Sequence, residues 1–185
     1  KAMRRVAQSG ATMIEVLVAM VIVAFGLLGM AGLQMRMQMS EVESYQLSQA
    51  VMLLNDMANR ITVNRRFASS YVSATTYGTG LTCPTTSTTS TTAQRDVSEW
   101  CNALQGAAEM SSTSAQGAMI GARGCIQQVG NDYMITVAWQ GMTPISAPPS
   151  SVTCGANNYN GSTGSKCLND LCRRVVTTLV RIGSL

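Results

Sequence analysis

The chain has 185 residues, with 13 Lys and Arg, nine Asp and Glu, six Cys and no His. This length allows one domain and an anchor, with little room for a second core. Without His the chain lacks the commonest general base and metal ligand, so we predict a protein that is not an enzyme and that needs no cofactor or metal. The net charge of +4 falls to +1 once residues 1–10 are left out, and this balance does not favour a nucleic-acid partner.

A short basic stretch is followed by an apolar segment. Residues 16–33 carry no charge, which makes them a candidate membrane span. Because Lys1, Arg4 and Arg5 precede the span, the positive-inside rule predicts a cytoplasmic N-terminus and export of everything after residue 33. An ordinary secretory signal, cut near Ala31, is the alternative. It is disfavoured because an acid heads the apolar region and the helical pattern continues past the cut.

Glu15 is that acid. A carboxylate costs roughly a few kcal/mol if it is carried into hydrocarbon. It either stays hydrated at the headgroup level or is neutralised by a positive charge. Cleavage after Gly10 would create such a charge, because the new amine of Ala11 would lie four residues before Glu15 on a helix. Amine and carboxylate would then pair within one chain or between two chains that are offset along the helix axis.

Residues 10–15, together with the apolar helix that follows, resemble the processing site of type IV prepilins and pseudopilins. The resemblance implies that a membrane peptidase cuts after Gly10 and methylates Ala11, and that Glu15 assists subunit docking. The family's usual first mature residue is Phe, where this chain has Ala11. Residues 15–34 and 48–60 are in addition similar to PilV-type minor pilins, as are two short stretches at 124–126 and 133–140.

The resemblance implies a structural role. PilV-type subunits join other minor pilins in a complex that initiates assembly of a type IV pilus and holds an adhesin at its tip, for adhesion and twitching motility. The implied partners are the major pilin, the prepilin peptidase, the inner-membrane assembly platform and, before assembly, membrane lipid. The implied location is the inner membrane of a Gram-negative bacterium, with the head in the periplasm, and then the pilus at the cell surface.

Two related roles are the alternatives. A pseudopilin of a type II secretion system shares the processing site, but the six Cys and a Thr-rich loop favour the pilus. A DNA-uptake pilin would require an exposed basic cluster, and the sequence offers one only at Arg65-Arg66 and Arg173-Arg174.

The long helix is predicted to continue into the head. No proline occurs between Gly10 and Cys83, so one helix is expected from about Ala11 to Ile61. A one-sided apolar stripe in its second half is predicted to pack on the core: Leu47, Val51, Leu54, Ala58 and Ile61. The predicted divisions are a leader at 1–10, a membrane or filament-core helix at 11–33, an amphipathic helix at 34–66 and an exported, β-rich head at 67–185.

The head is predicted to add a small antiparallel sheet, which gives an α+β protein with the type IV pilin fold. Residues 82–92 are a low-complexity Ser/Thr loop, either a flexible linker or an acceptor of O-linked sugar. A short helix at 96–104 buries Trp100. Strands are expected at 124–129, 133–140 and 173–182, with a hairpin turn at 130–132, a half-buried middle strand whose Ile135 and Val137 face the helix, and a loop at 141–170.

All six cysteines lie on the predicted exported side: Cys83, Cys101, Cys125, Cys154, Cys167 and Cys172. An even number in an oxidising compartment predicts up to three disulfides, with fifteen possible pairings. Cys83 with Cys101, and Cys154 with Cys167 or Cys172, are the first choices because each closes a loop that is otherwise unsupported. Zinc at Cys167 and Cys172 is the alternative, and it is weak without His or a CxxC motif.

Overall fold

A computed structural model describes residues 12–107 and 119–183, and the backbone alone of 110–111 and 114–115. Contacts divide the chain into two units, Lys1–Glu41 and Val42–Leu185. Helix α1, Met13–Val63, contributes to both units. Its ends lie within two residues of the predicted ones, because neither proline nor a turn motif interrupts the sequence between them.

The first unit contains the apolar half of α1. Every described side chain from Thr12 to Glu41 is exposed. The helix is long and apolar enough to cross a membrane. A helix that is apolar on all sides requires lipid or other helices around it.

The second unit is built on a sheet. Its four strands are β1 (Tyr77–Gly78), β4 (Arg123–Val129), β5 (Asp132–Gln140) and β6 (Arg173–Arg181). They are all antiparallel and lie in the order β1-β4-β5-β6. The other elements are a 3₁₀-helix (Arg65–Tyr71), helix α2 (Thr92–Leu104) and a separate two-stranded pair of β2 (Met110–Ser111) with β3 (Ser114–Ala115). The predicted helix-on-sheet architecture, the three long strands and the turn at Gly130 are confirmed. The short strand β1 and the 3₁₀-helix were not predicted.

The core-facing side of α1 differs from the predicted stripe. The buried residues are Gln46, Ala50, Leu54, Met57 and Ile61. Leu54 and Ile61 were predicted correctly, but Leu47 and Val51 are 46% and 40% exposed, so that part of the prediction was wrong. Gln46 can be buried on the core-facing side of α1, although it is polar, because its Oε1 accepts a hydrogen bond from the Ile120 amide at 2.8 Å.

Strand β5 is buried on both faces at its centre, and the prediction of a half-buried strand was wrong there. Ile135, Val137 and Trp139 pack in the main core with α1 and α2, as expected. The opposite face carries Ala138, which packs in a second cluster with Cys125, Cys154 and Tyr159. The segment after β5 therefore forms a layer over the sheet, although it contains no strand of its own.

Helix α2 begins earlier than predicted. Thr91 accepts a hydrogen bond from the Gln94 amide, and the Gln94 side chain accepts one from the Thr91 amide, which is a capping box. Trp100 is fully buried, as predicted, and its indole nitrogen donates to the Leu53 carbonyl at 2.9 Å. A Cβ at Gly124 on β4 would overlap the Trp100 ring, so glycine lets the sheet approach α2 closely.

The six cysteines form three disulfides: Cys83–Cys101, Cys125–Cys154 and Cys167–Cys172. The first pairing is the predicted one. The prediction that Cys154 pairs with Cys167 or Cys172 was wrong. It rested on loop closure alone, whereas burial in the second cluster brings Cys154 next to Cys125 on β4. Cys167 and Cys172 bond to each other, in place of the zinc alternative.

Candidate functional site

The predicted processing site begins just before the described part of the chain. Gly10 and Ala11 lie outside the described residues. Glu15 is in the first turn of α1, where its amide donates to the Thr12 carbonyl at 3.0 Å. Its side chain is exposed, and within residues 12–107 and 119–183 it forms no ion pair. The one acid at the head of the apolar helix is therefore open to a partner from the preceding residues or from another chain.

An apolar face begins directly after Glu15. Two alanines and four larger apolar side chains at helical spacing form a shallow groove along it: Val16, Ala19, Met20, Val23, Ala24 and Leu27. The alternation of Ala with larger side chains lets a second helix approach closely. Glu15 thus lies at the end of a surface suited to helix packing, and an ion pair there would be partly shielded from water.

A charged cluster joins α1 to α2 in the second unit. Arg60 contacts three carboxylates: Asp56 at 3.0 Å, Asp96 at 3.0 Å and Glu99 at 2.7 Å. Burial acts to lower the pKa of Arg60, but the three carboxylates outweigh it and raise that pKa above its ordinary value. The guanidinium group thus joins α1 to the Asp96 and Glu99 carboxylates of α2.

We expect Arg60→Met to destabilise the head by about 2 kcal/mol. Loss of the guanidinium group leaves three neighbouring carboxylates without a cation. The expected destabilisation is smaller than that for breaking a fully buried ion pair because Arg60 is 27% exposed. Asp56→Asn is the matched control and should change stability by less than about 0.5 kcal/mol, since Asp56 is the i,i+4 partner and 41% exposed. Urea unfolding of both variants measures the difference, and equal effects would contradict this role of Arg60.

Tyr71, at the end of the 3₁₀-helix, is tied to the same cluster. Its hydroxyl donates to Asp96 and accepts from the Asn64 side-chain amide. Burial, followed by the hydrogen bond to Asp96, raises the pKa of Tyr71 to about 12. The neutral phenol is thus the form that the fold requires.

This raised pKa predicts a specific alkaline weakness. Because the folded-state pKa lies above the ordinary value of about 10, the stability from neutral Tyr71 is complete below pH 10 and is lost as the pH rises towards 12. The melting temperature of the wild type should fall more between pH 9 and 11.5 than that of Tyr71→Phe. Both proteins keep Tyr159, whose pKa is also raised by burial, so its contribution cancels. Identical pH slopes would contradict this assignment.

Two adjacent arginines of β6 are occupied within the fold. Arg173 is 3% exposed, pairs with Asp170 and donates to the Val152 and Cys154 carbonyls. Arg174 is 12% exposed, and its Nη2 lies 3.1 Å from Glu43 Oε1 on α1. Of the two basic pairs that the sequence offers to a DNA-uptake pilin, Arg173-Arg174 is therefore not an exposed cluster, whereas Arg65 and Arg66 are exposed.

The charged contacts around α1 were missed in the sequence. The spacing of Asp56 and Arg60 is a readable i,i+4 pair. No local pattern links Arg60 to α2, or Glu43 to Arg174, which lies 131 positions away in the sequence.

The apolar N-terminal helix and the four-stranded antiparallel sheet on which α1 packs define the type IV pilin fold. Two family models match the chain: "Type IV pilin Tt1218" over residues 32–107, and "Prokaryotic N-terminal methylation motif" over residues 5–31. These two matches support the type IV pilin superfamily, whose members are pilus or pseudopilus components. The motif implies processing by prepilin peptidase and assembly with other pilins. No curated protein and no solved structure matches the chain.

Proposed function

We propose that the protein is a PilV-type minor pilin that joins other minor pilins to prime assembly of a type IV pilus and stays at its tip. The observation that carries the proposal is the placement of Glu15. It is the single acid at the start of an exposed apolar helix, and it follows Gly10 and Ala11 within the matched methylation motif.

Processing at Gly10 supplies the counter-charge. Removal of residues 1–10 leaves an amine on Ala11, which is methylated and keeps its positive charge. At about 4 Å and the effective dielectric near a protein surface, amine and carboxylate attract by about 4 kcal/mol. The pair replaces hydration that Glu15 loses among apolar helices. The neutralised helix then moves from lipid into the filament core.

The head is suited to exposure outside the cytoplasm. Three disulfides lie between residues 83 and 172, which is consistent with folding in the oxidising periplasm. With the N-terminus cytoplasmic and the helix as a single membrane pass, the head is periplasmic before assembly. It then contacts other minor pilins, the major pilin and a tip adhesin.

Two alternatives share parts of this evidence. A pseudopilin of a type II secretion system has the same processing site and the same class of helix. DNA uptake loses support because Arg173 and Arg174 are held by Asp170 and Glu43. Retention of DNA on a filter by the detergent-solubilised chain at low salt would restore support for a role in DNA uptake.

Deletion of the gene separates the first two roles. The proposal predicts near-complete loss of surface pili, counted by electron microscopy, and restoration by the wild-type gene in trans. The type II secretion substrates should still be exported. Normal pili with lost secretion would overturn the proposal and favour the pseudopilin.

A further inference from the structure

An open cavity of about 340 Å³ lies between the 3₁₀-helix and the beginning of α2, which is at the lower end of the range for small-molecule sites. Asn64, Phe67 and Ser70 line it from the side of the 3₁₀-helix. Their spacing matches the roughly three residues per turn of such a helix, so the three side chains share one face. The rest of the wall comes from the residues at the start of α2: Ser90, Thr91, Thr92, Ala93 and Arg95.

Phe67 leaves a large apolar surface at the wall of this cavity. Its side chain is 60% exposed, although Ala68 and Tyr71 of the same 3₁₀-helix are buried. The backbone at Phe67, with φ −119° and ψ 25°, departs from helical geometry. The face of an aromatic ring is electron-rich and attracts the weakly positive C–H groups of a ligand. Phe67 is therefore suited to stack against a ring-shaped ligand whose face carries C–H groups.

The unpaired charges at the cavity are positive. In the described part of Val42–Leu185 each acid pairs with an arginine: Glu43, Asp56, Asp96, Glu99, Asp132 and Asp170. Arg95 lines the cavity and forms no ion pair with any residue that the structure describes. The same holds for Arg65 and Arg66, which lie between Asn64 and Phe67 in the chain. The field at this place therefore favours an anionic ligand.

We propose that the cavity binds an acidic sugar, which is a pyranose ring that carries a carboxylate, as in the polyuronic acids. Arg95 donates two parallel hydrogen bonds to the carboxylate. The C–H face of the sugar ring stacks on Phe67. Asn64 already donates its side-chain amide to the Tyr71 hydroxyl at 3.0 Å, so its Oδ1 accepts from a sugar hydroxyl. Ser70 Oγ both donates and accepts, and it binds a second hydroxyl of the sugar.

The lining favours an acidic sugar over the other anions. An acidic peptide carries its carboxylates on flexible stems and offers no rigid ring to stack on Phe67. A single-stranded nucleic acid requires a basic groove with several stacking rings. Phe67 is the one aromatic side chain among the described residues that line this cavity. Arg65 and Arg66 lie close by in the chain and attract the neighbouring acidic units of a polysaccharide.

Calorimetric titration of the detergent-solubilised full chain with trigalacturonic acid tests the proposal. Saturable binding is expected at an ionic strength of about 0.15 M. Galactotriose, a neutral trisaccharide of the same length, should give no binding. Arg95→Gln should weaken the binding of trigalacturonic acid at least about tenfold, because Gln lacks both the charge and the forked pair of donors. Phe67→Ala should weaken it about fivefold through loss of the stacking surface.

Conservative variants separate the two contacts from a general effect on the fold. Phe67→Tyr keeps the ring, so its affinity should stay within about twofold of the wild type. Arg95→Lys keeps the charge but not the planar fork, and it should recover only part of the affinity. Lys166→Gln is the matched control, because Lys166 is an exposed cation of the head that does not line the cavity. Its affinity should equal that of the wild type.

Absence of binding, or equal affinity for galactotriose, would overturn the proposal. Unchanged affinity in Arg95→Gln would also overturn it, since the sugar would then bind elsewhere. Oligoglutamate or single-stranded DNA that displaces the sugar and binds more tightly would assign the cavity to an acidic peptide or a nucleic acid instead. The titration does not involve pilus assembly, so its outcome is separate from that of the proposed function.

Discussion

Glu15→Gln should reduce incorporation of the protein into pili by at least about tenfold while leaving its amount in the membrane unchanged. Gln has nearly the same shape and lacks the charge that pairs with the Ala11 amine. The lost attraction of about 4 kcal/mol exceeds the 1.4 kcal/mol that corresponds to a factor of ten in an equilibrium. Immunoblots of sheared pili and of the remaining membranes, compared at equal expression, measure the effect.

Glu41→Gln is the matched control. Glu41 is an exposed acid on the same helix, well beyond the apolar segment, and no ion pair of Glu41 is found among the described residues. Its replacement should leave incorporation within about twofold of the wild type. Equal incorporation of Glu15→Gln and wild type would show that the carboxylate is not neutralised by a docking partner.

Cys125→Ala combined with Cys154→Ala should destabilise the head by about 3.6 kcal/mol. The two residues are 29 positions apart, and the chain-entropy estimate for a loop of that length gives this value. The bond also holds the segment after β5 against the sheet, where Ala138 and Tyr159 are buried. Thermal unfolding of the detergent-solubilised chain, followed by circular dichroism, should show a lower midpoint.

The control for this prediction is Cys167→Ala with Cys172→Ala. The loop closed by that bond is only five residues long, and the same estimate gives about 2 kcal/mol. The Cys125/Cys154 pair should therefore have the larger effect. The reverse order would mean that the second cluster does not depend on its disulfide.

The sequence allowed prediction of the elements whose patterns are local. The apolar run after Glu15, the alternation in β5 and the turn at Gly130 each follow from neighbouring residues. Thr91 and Gln94 also formed a readable capping box, and its signal was hidden in a Ser/Thr-rich run that was assigned to the loop.

Contacts between distant segments were not predictable in the same way. Whether Gln46 or Leu47 faces the core depends on the Ile120 amide, 74 residues away. The burial of Ala138 depends on Cys154 and Tyr159, which belong to a segment without regular periodicity. Arg173-Arg174 is a basic pair in the sequence, and only the fold shows that Asp170 and Glu43 pair with it.

The candidate site shows the same division. Gly10, Ala11 and Glu15 lie close together in the sequence, so their motif was recognisable without a structure. The Arg60 cluster combines α1, the 3₁₀-helix and α2, and it became visible only when those elements were placed together.

The N-terminus of the native protein tests the central claim most directly. The account predicts that mass spectrometry of the chain isolated from pili or membranes finds Ala11 as the first residue, with a methyl group on its amine. A chain that starts at any other residue would lack the positive charge four positions before Glu15, and it would contradict the account.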